Sequence, residues 1–136
     1  MEEPNINTEN YDEWNEIKKS IQENNKILPF REREVWWYAA GKNIGTEING
    51  KGARFSRPIL IIRKYGQSSF LGIPLSTQLH QGRWYTYIDI KKEKRCVLLS
   101  QVGSFSAKRL LSRIGKISVV DFEGVCGELG RLIFKK

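Results

Sequence analysis

The spacing of apolar residues changes character near residue 34. Before that point, Tyr11, Trp14, Ile17 and Ile21 recur at near-helical intervals, which predicts one amphipathic helix. Asn10 offers its N-cap, with Glu13 in the third helical position to reach back as a capping box. Asn24, Asn25 and Pro29 end it. A helix this short is not stable alone in water, so it is expected to lie on the remainder of the chain, while residues 1–8 carry no periodicity and read as disordered. From Glu34 the pattern turns to short runs of aromatic and β-branched residues, predicting strands at Val35–Ala39, Ile59–Arg63, Phe70–Leu75, Trp84–Ile90 and Val97–Val102. Gly41–Ser56, with four glycines, reads as a long mobile loop, and long loops in small domains usually have a function or are disordered.

Two helical stretches are expected after the strands. A short one covers Ala107–Arg113. A longer one starts at Ser118 as N-cap, with Asp121 three residues on, and presents Phe122, Val125, Cys126, Leu129, Leu132 and Ile133 along one face. Gly124, Gly127 and Gly130 recur every third residue of this helix, each costing about 1 kcal/mol against alanine. Such spacing allows a neighbour to approach the backbone closely. It is no dinucleotide fingerprint, because the G-x-G spacing and the preceding strand are missing. The expected architecture is α+β and mainly β: a small, strongly curved antiparallel sheet, or partly open barrel, with two or three helices packed around it. Residues 1–30 form an N-terminal extension and residues 31–136 the main domain.

Charge sharpens this division. The net charge is +8, yet residues 1–30 hold seven acids and three lysines, while residues 31–136 hold twenty Lys and Arg against eight acids. An extension at −4 therefore adjoins a domain at +12, and a compact domain so basic attracts polyanions, of which nucleic acid is the commonest in the cytosol. The acidic segment is expected to tune access to the basic surface or to support the fold. Two cysteines thirty residues apart and a single histidine suggest neither a disulfide framework nor a zinc site. Apolar runs of about six residues are too short to span a bilayer. No secretory signal opens the chain, so a cytoplasmic location without membrane attachment is expected.

Four short motifs carry candidate chemistry: Gly45-Thr46-Glu47, Arg57-Pro58 leading into an apolar strand, Pro74-Leu75-Ser76-Thr77-Gln78, and Ser100-Gln101-Val102. Each has an ordinary reading. An arginine before proline often marks the exposed start of a strand, a Ser-Thr pair makes turns, Glu47 suits a solvated loop, and His80 suits an idle one. Their order and spacing, however, resemble the MazF/PemK toxin family, which shows a G-x-E loop, an R-P before a buried strand, a P-x-T-[ST]-Q strand end and a Q-[IV]-R-T-[IL]-D segment. The resemblance runs from about Glu34 to Ile133. Trp14 and the Arg33–Trp37 run are also similar to the opening of some members.

The resemblance implies a fold of the CcdB/PemK type and a toxin of a type II toxin–antitoxin system. The implied activity is a metal-independent endoribonuclease, or mRNA interferase, without cofactor, acting as a homodimer on single-stranded RNA. Its partner would be a cognate antitoxin with an acidic tail. Carried onto this chain, the central roles fall to Arg57 and Ser76. Arg57 presents a planar fork of donors suited to phosphate, and the Ser76 hydroxyl can donate to a phosphoryl oxygen. RNA self-cleavage also needs a proton acceptor for the 2′-OH and a donor for the leaving oxygen, for which Glu47 and His80 are the candidates. Thr77, Gln78 and Gln101, with the basic Lys51, Arg54, Arg83, Lys108 and Arg109, are expected to contact RNA. Arg113 and Lys116 add positive charge, and Trp84, Tyr85 and Phe55 suit base stacking, although Trp84 fits a core position equally well. The chain departs from the family at Gly103, where arginine is usual, and at Ser104 and Ser106, where threonine and aspartate are usual. Leu98 and Ser100 stand where some members have an Arg/Asp pair. Two other readings remain at this stage: a non-catalytic RNA- or DNA-binding barrel, and a CcdB-like toxin acting on a protein such as gyrase, which the Leu132–Lys136 tail resembles poorly.

Overall fold

The computed structural model describes residues 27–40 and 56–135. The expected N-terminal helix and the Gly41–Ser56 loop, apart from Ser56, lie outside these residues. Seven strands form one antiparallel sheet: β1 (Glu34–Ala39), β2 (Ser56–Lys64), β3 (Ser69–Ser76), β4 (Tyr85–Ile90), β5 (Glu93–Leu98), β6 (Gly103–Ser106) and β7 (Leu110–Lys116). One α-helix follows, α1 (Val119–Ile133). The strand order is β4-β5-β3-β2-β1-β7, with β6 also on β3.

The sheet curls because β3 changes partner along its length. Its first half, Ser69–Gly72, pairs with β6, whereas Leu75 and Ser76 pair with β5. The corner between β5 and β6 is a 3-10 turn at Leu99–Gln101. Curling brings the two ends of the sheet together: a Cβ added at Gly115 of β7 would lie 3.0 Å from the Ile90 side chain of β4, which would have to shift to admit it. The result is the strongly curved, partly open barrel expected from the sequence.

Both faces of the central strands are covered. Val35 and Trp37 face a cluster with Leu60, Ile73, Ile88 and Val97, over which α1 lays Val125 and Leu129. Trp36 and Tyr38 face the other way, onto Phe30, Ile59, Ile61, Phe70 and Leu110. All six residues of β1 are therefore buried, as expected of a strand covered on both sides. The second cluster is an aromatic nest, with Phe30–Phe70, Tyr38–Phe105 and Phe70–Phe105 ring centroids 5.4, 5.3 and 5.9 Å apart. Each such side chain contributes about 1.5–3 kcal/mol on burial.

Several expectations need correction. Val97–Val102 is not one strand, since β5 ends at Leu98 and the chain turns the corner. Ala107–Arg113 is not a helix: only Ala107–Arg109 turn, as 3-10, and Leu110–Lys116 pairs with β1. Two register shifts in that pairing break the alternation of apolar positions, which is why the segment does not read as a strand. Among the described residues there is thus one α-helix rather than two or three. Ser118 does cap it, its Oγ accepting from Asp121 N at 3.0 Å. The Asp121 carboxylate does not reach back to complete a box; it accepts from Asp89 N at 2.9 Å and ties α1 to β4. Ile133, assigned to the buried face, is 64% exposed.

The glycine stripe meets no neighbour among the described residues. Among those residues, nothing lies within 4 Å of a Cβ added at Gly124, Gly127 or Gly130. Gly127→Ala is accordingly expected to raise stability by about 0.5–1 kcal/mol through helix propensity and reduced freedom of the unfolded chain. A urea titration checks this. A lowered midpoint would show that contact along the stripe outweighs propensity.

Candidate functional site

A single row of side chains crosses the sheet at the end remote from the β2–β3 turn. Tyr38 of β1 pairs with Arg57 of β2. Ile59 pairs with Pro74, and that register, continued two residues, sets Arg57 level with Ser76 of β3. Ser76 pairs with Cys96 of β5, and Cys96 with Tyr87 of β4. Residues opposite one another in antiparallel strands share a face, so Tyr38, Arg57, Ser76, Cys96 and Tyr87 form one continuous line. The two residues given central roles from sequence are neighbours within it.

Arg57 is half-buried, because Pro58 and Ile59 enter the core directly after it. Burial lowers its guanidinium pKa from the ordinary value, yet such a group stays cationic at neutral pH. A cation held partly out of water interacts more strongly with an anion than a fully solvated one. Ser76 is also half-buried, and its Oγ accepts from Gln78 N at 3.1 Å. The turn-forming reading of this serine is therefore correct. It also fixes the oxygen, and a hydroxyl that accepts one bond still has its own proton to donate. Cys96 contributes no charge, since burial pushes its thiol pKa up.

Arg109 joins this end of the sheet from β7's side. Its Nη1 donates to the Ala39 carbonyl at 3.1 Å, next to Tyr38. Burial raises the Tyr38 phenol pKa and the Arg109 charge partly offsets it. Lys108 is exposed on the same 3-10 turn, with its backbone N–H donated to Ser106 Oγ. Thr77, Gln78 and His80 lie in the β3–β4 connection directly after Ser76, with Thr77 and Gln78 exposed. The His80 ring stacks on Tyr85 at 4.9 Å. Arg83 closes that connection, its guanidinium 5.2 Å from the Trp84 ring centroid. Trp84 is 44% exposed and so is not a core residue. Gln101 occupies the corner between β5 and β6.

Glu47, Lys51, Arg54 and Phe55 lie outside the described residues. Arg113 and Lys116 are not near the row. They pair with Trp36 and Glu34, toward the opposite end of β1, and Arg113 Nε donates to Glu34 Oε2 at 2.8 Å. Tyr38, Tyr87 and Lys94 were not singled out from sequence. A signal for Tyr87 was present, since Tyr85 and Tyr87 are two apart in a strand and must share a face.

Comparison with known proteins agrees with this fold. Among solved structures, the fold is similar to an endoribonuclease in complex with its cognate antitoxin from Mycobacterial species, with a TM-score of 0.59 at 10% identity, over 80% of this chain and 98% of that one. It is similar to the Deinococcus radiodurans MazE–MazF structure, with a TM-score of 0.55 at 17% identity, over 82% of this chain and 100% of that one. It also matches the Mycobacterium tuberculosis toxin MazF-mt6, with a TM-score of 0.52 at 11% identity, over 72% and 95% of the two chains. At these identities the likeness is one of fold. A search of curated protein sequences found no match. The profile of the PemK-like, MazF-like toxins of type II toxin–antitoxin systems matches residues 31–133, most of the chain. Sequence profile and fold converge, and the chain belongs to that toxin family.

Proposed function

We propose that this toxin is an endoribonuclease that cuts single-stranded RNA by attack of a 2′-OH on the adjacent phosphate. The observation that carries the reading is the pairing of Ile59 with Pro74 on adjacent strands, which supports Arg57 and Ser76, each two residues further along its strand, as neighbours on one face. The 2′-oxygen loses its proton, forms a bond to phosphorus, and the P–O5′ bond breaks, leaving a 2′,3′-cyclic phosphate and a 5′-hydroxyl. Arg57 would meet the charge that builds on the phosphoryl oxygens, and Ser76 would donate to one of them. Glu47 is assigned the 2′-OH proton. His80 is assigned the proton returned to the leaving oxygen. Arg57 is not the base, because its proton is held too tightly.

Thr77, Gln78, Gln101, Arg83, Lys108, Arg109, Lys51 and Arg54 are proposed to hold the strand. A homodimer, and an antitoxin whose acidic tail competes for this surface, are proposed partners. The +12 charge of residues 31–136 supports both anionic ligands, and two of the similar solved structures are toxins bound to antitoxins. The division at residues 30 and 31, and a cytoplasmic site of action, belong to the same proposal. Among the described residues no helix is long and apolar enough to cross a membrane. The test is incubation of single-stranded RNA with purified protein in EDTA. Fragments with 5′-hydroxyl ends are expected, and intact RNA after prolonged incubation would overturn the reading.

A further inference from the structure

The row through Ser76 continues onto Tyr87, and beside it Tyr85, two rings that the reaction chemistry does not use. Tyr87 stands two strands from Ser76, across Cys96, roughly 10 Å away at ordinary strand spacing. It is 38% exposed. Its hydroxyl donates to the His80 carbonyl, and the His80 ring lies flat against Tyr85 at 4.9 Å and 23°. Tyr85 and Tyr87 share the face of β4 that carries the row, since they pair with Leu98 and Cys96. Three rings are therefore joined through one residue into a single unit whose orientation is set before any ligand arrives. Positive charge borders it, since Lys94 Nζ is 5.8 Å from the Tyr87 centroid; Arg83 lies over Trp84, the residue before Tyr85.

This combination suits one kind of occupant. Tyr87 keeps part of its ring in water, where it is accessible to a partner. Flat rings bordered by cations match an unpaired base on one side and its phosphate on the other. Rings already held in place lose little freedom when a base settles on them. A duplex would keep its bases stacked inside, so the ledge reads single strands.

We propose that Tyr87, Tyr85 and His80 form a stacking ledge for a base of the bound RNA strand, next to the phosphate gripped by Arg57 and Ser76. The proposal rests on the ribonuclease reading for its choice of strand and phosphate. It assigns His80 a second task, as part of the platform that aligns the base.

Two fluorescent probes test it by anisotropy: a mixed-sequence 2′-O-methyl RNA, which cannot be cut, and an abasic ribose-phosphate chain of equal length. Tyr87→Ala is expected to weaken binding of the first about tenfold, equivalent to 1.4 kcal/mol and typical of one stacked base, and to leave the second unchanged. Tyr87→Phe, which keeps the ring, recovers most of that loss. Tyr65→Ala, at the far turn of β2 and β3, changes neither. Lys108→Ala weakens both, as loss of a phosphate contact should. Equal loss on both probes in Tyr87→Ala, or none on either, overturns the ledge. Wild-type cleavage in EDTA is scored separately. RNA cut normally, with Tyr87→Ala binding as wild type, rejects the ledge alone. RNA left intact, with base-dependent binding lost in the variant, retains the ledge and rejects cleavage. A wild type that binds neither probe rejects both.

Discussion

Arg57→Ala is expected to lower the rate of RNA cleavage by about 10²–10³-fold, the usual cost of removing one donor aimed at charge that develops in the transition state. The effect should fall on kcat more than on KM, because the extra negative charge on phosphate exists only as the 2′-oxygen attacks. Arg57→Lys should recover only part of the loss: an ammonium restores the charge but not the planar pair of donors. The position makes the expectation specific. Arg57 is half-buried, two residues before the Ile59 that pairs with Pro74 on the strand carrying Ser76, so a cation elsewhere on the surface is a poor substitute. Single-turnover cleavage of a labelled oligonucleotide, with the thermal midpoint recorded for each variant, is the measurement. A folded Arg57→Ala protein that cuts at the wild-type rate would remove this arginine from the role.

Glu34→Leu is expected to destabilise the fold by about 2–4 kcal/mol, a drop of roughly 10 °C in thermal midpoint for a chain of this size. Glu34 sits at the start of β1 with a side chain that is 8% exposed. One carboxylate oxygen accepts from Arg31 N at 2.7 Å and from Trp36 Nε1 at 3.0 Å. The other accepts from Arg113 Nε at 2.8 Å. Leucine would leave the Arg31 and Trp36 donors without an acceptor, and an unmatched buried donor costs more than its bond contributed. Arg113 is half exposed and can return to water, which keeps the loss below that of a fully buried pair. Glu34→Gln retains an acceptor and should cost about 1 kcal/mol.

The same residue sets an acid limit. Burial raises the Glu34 pKa, but hydrogen bonds from Trp36, Arg113 and Arg31, with the Arg113 charge, outweigh it, and the net shift is downward from 4.5. A carboxylate with a depressed folded pKa stabilises above its unfolded pKa. Its contribution should thus be complete above about pH 5, decline below the ordinary glutamate value, and vanish once pH falls beneath the folded pKa. Urea titrations of wild type and Glu34→Gln should converge toward low pH. A difference that stays constant from pH 7 to pH 3 would show that the charge of Glu34 has no part in it. The adjoining backbone depends on this anchor. Arg33 has a positive φ of 74°, and its guanidinium donates to the Ile117 carbonyl at 3.1 and 3.3 Å. Residues 31–34 thus clasp β7 and α1 to the strand that ends beside Arg57.

Period and composition were enough to place most strands. β1, β2, β3 and β4 follow from runs in which aromatic and β-branched residues dominate, and α1 follows from Val125 and Leu129 recurring behind a serine cap. The mainly β class and the toxin family were legible in this way, the second because the Arg57-Pro58 and Pro74–Gln78 motifs stand in the right order. Where two faces of a strand are both buried, or a bulge shifts its register, local pattern loses its meaning. β7 shows this: Leu110 and Ile114 are spaced as on a helix, yet two bulges against β1 set them inward from a strand. The corner at Leu99–Gln101 was hidden for a related reason, since Val97, Leu98 and Leu99 are all buried and the apolar run crosses the turn.

What the sequence alone determined is the chemistry available: a domain at +12, a guanidinium before proline, a hydroxyl at a strand end, and aromatics two apart in β4. Those are properties of residue type and of near neighbours along the chain. The tertiary structure alone decided which of them act together. Tyr38, Arg57, Ser76, Cys96 and Tyr87 come from five strands spread from residue 38 to residue 96, and only the antiparallel register makes them one line. It likewise sent Arg113 to Glu34 and brought Arg109 to the end of β1. Register is fixed by which faces the whole sheet buries, a long-range condition that no single segment carries.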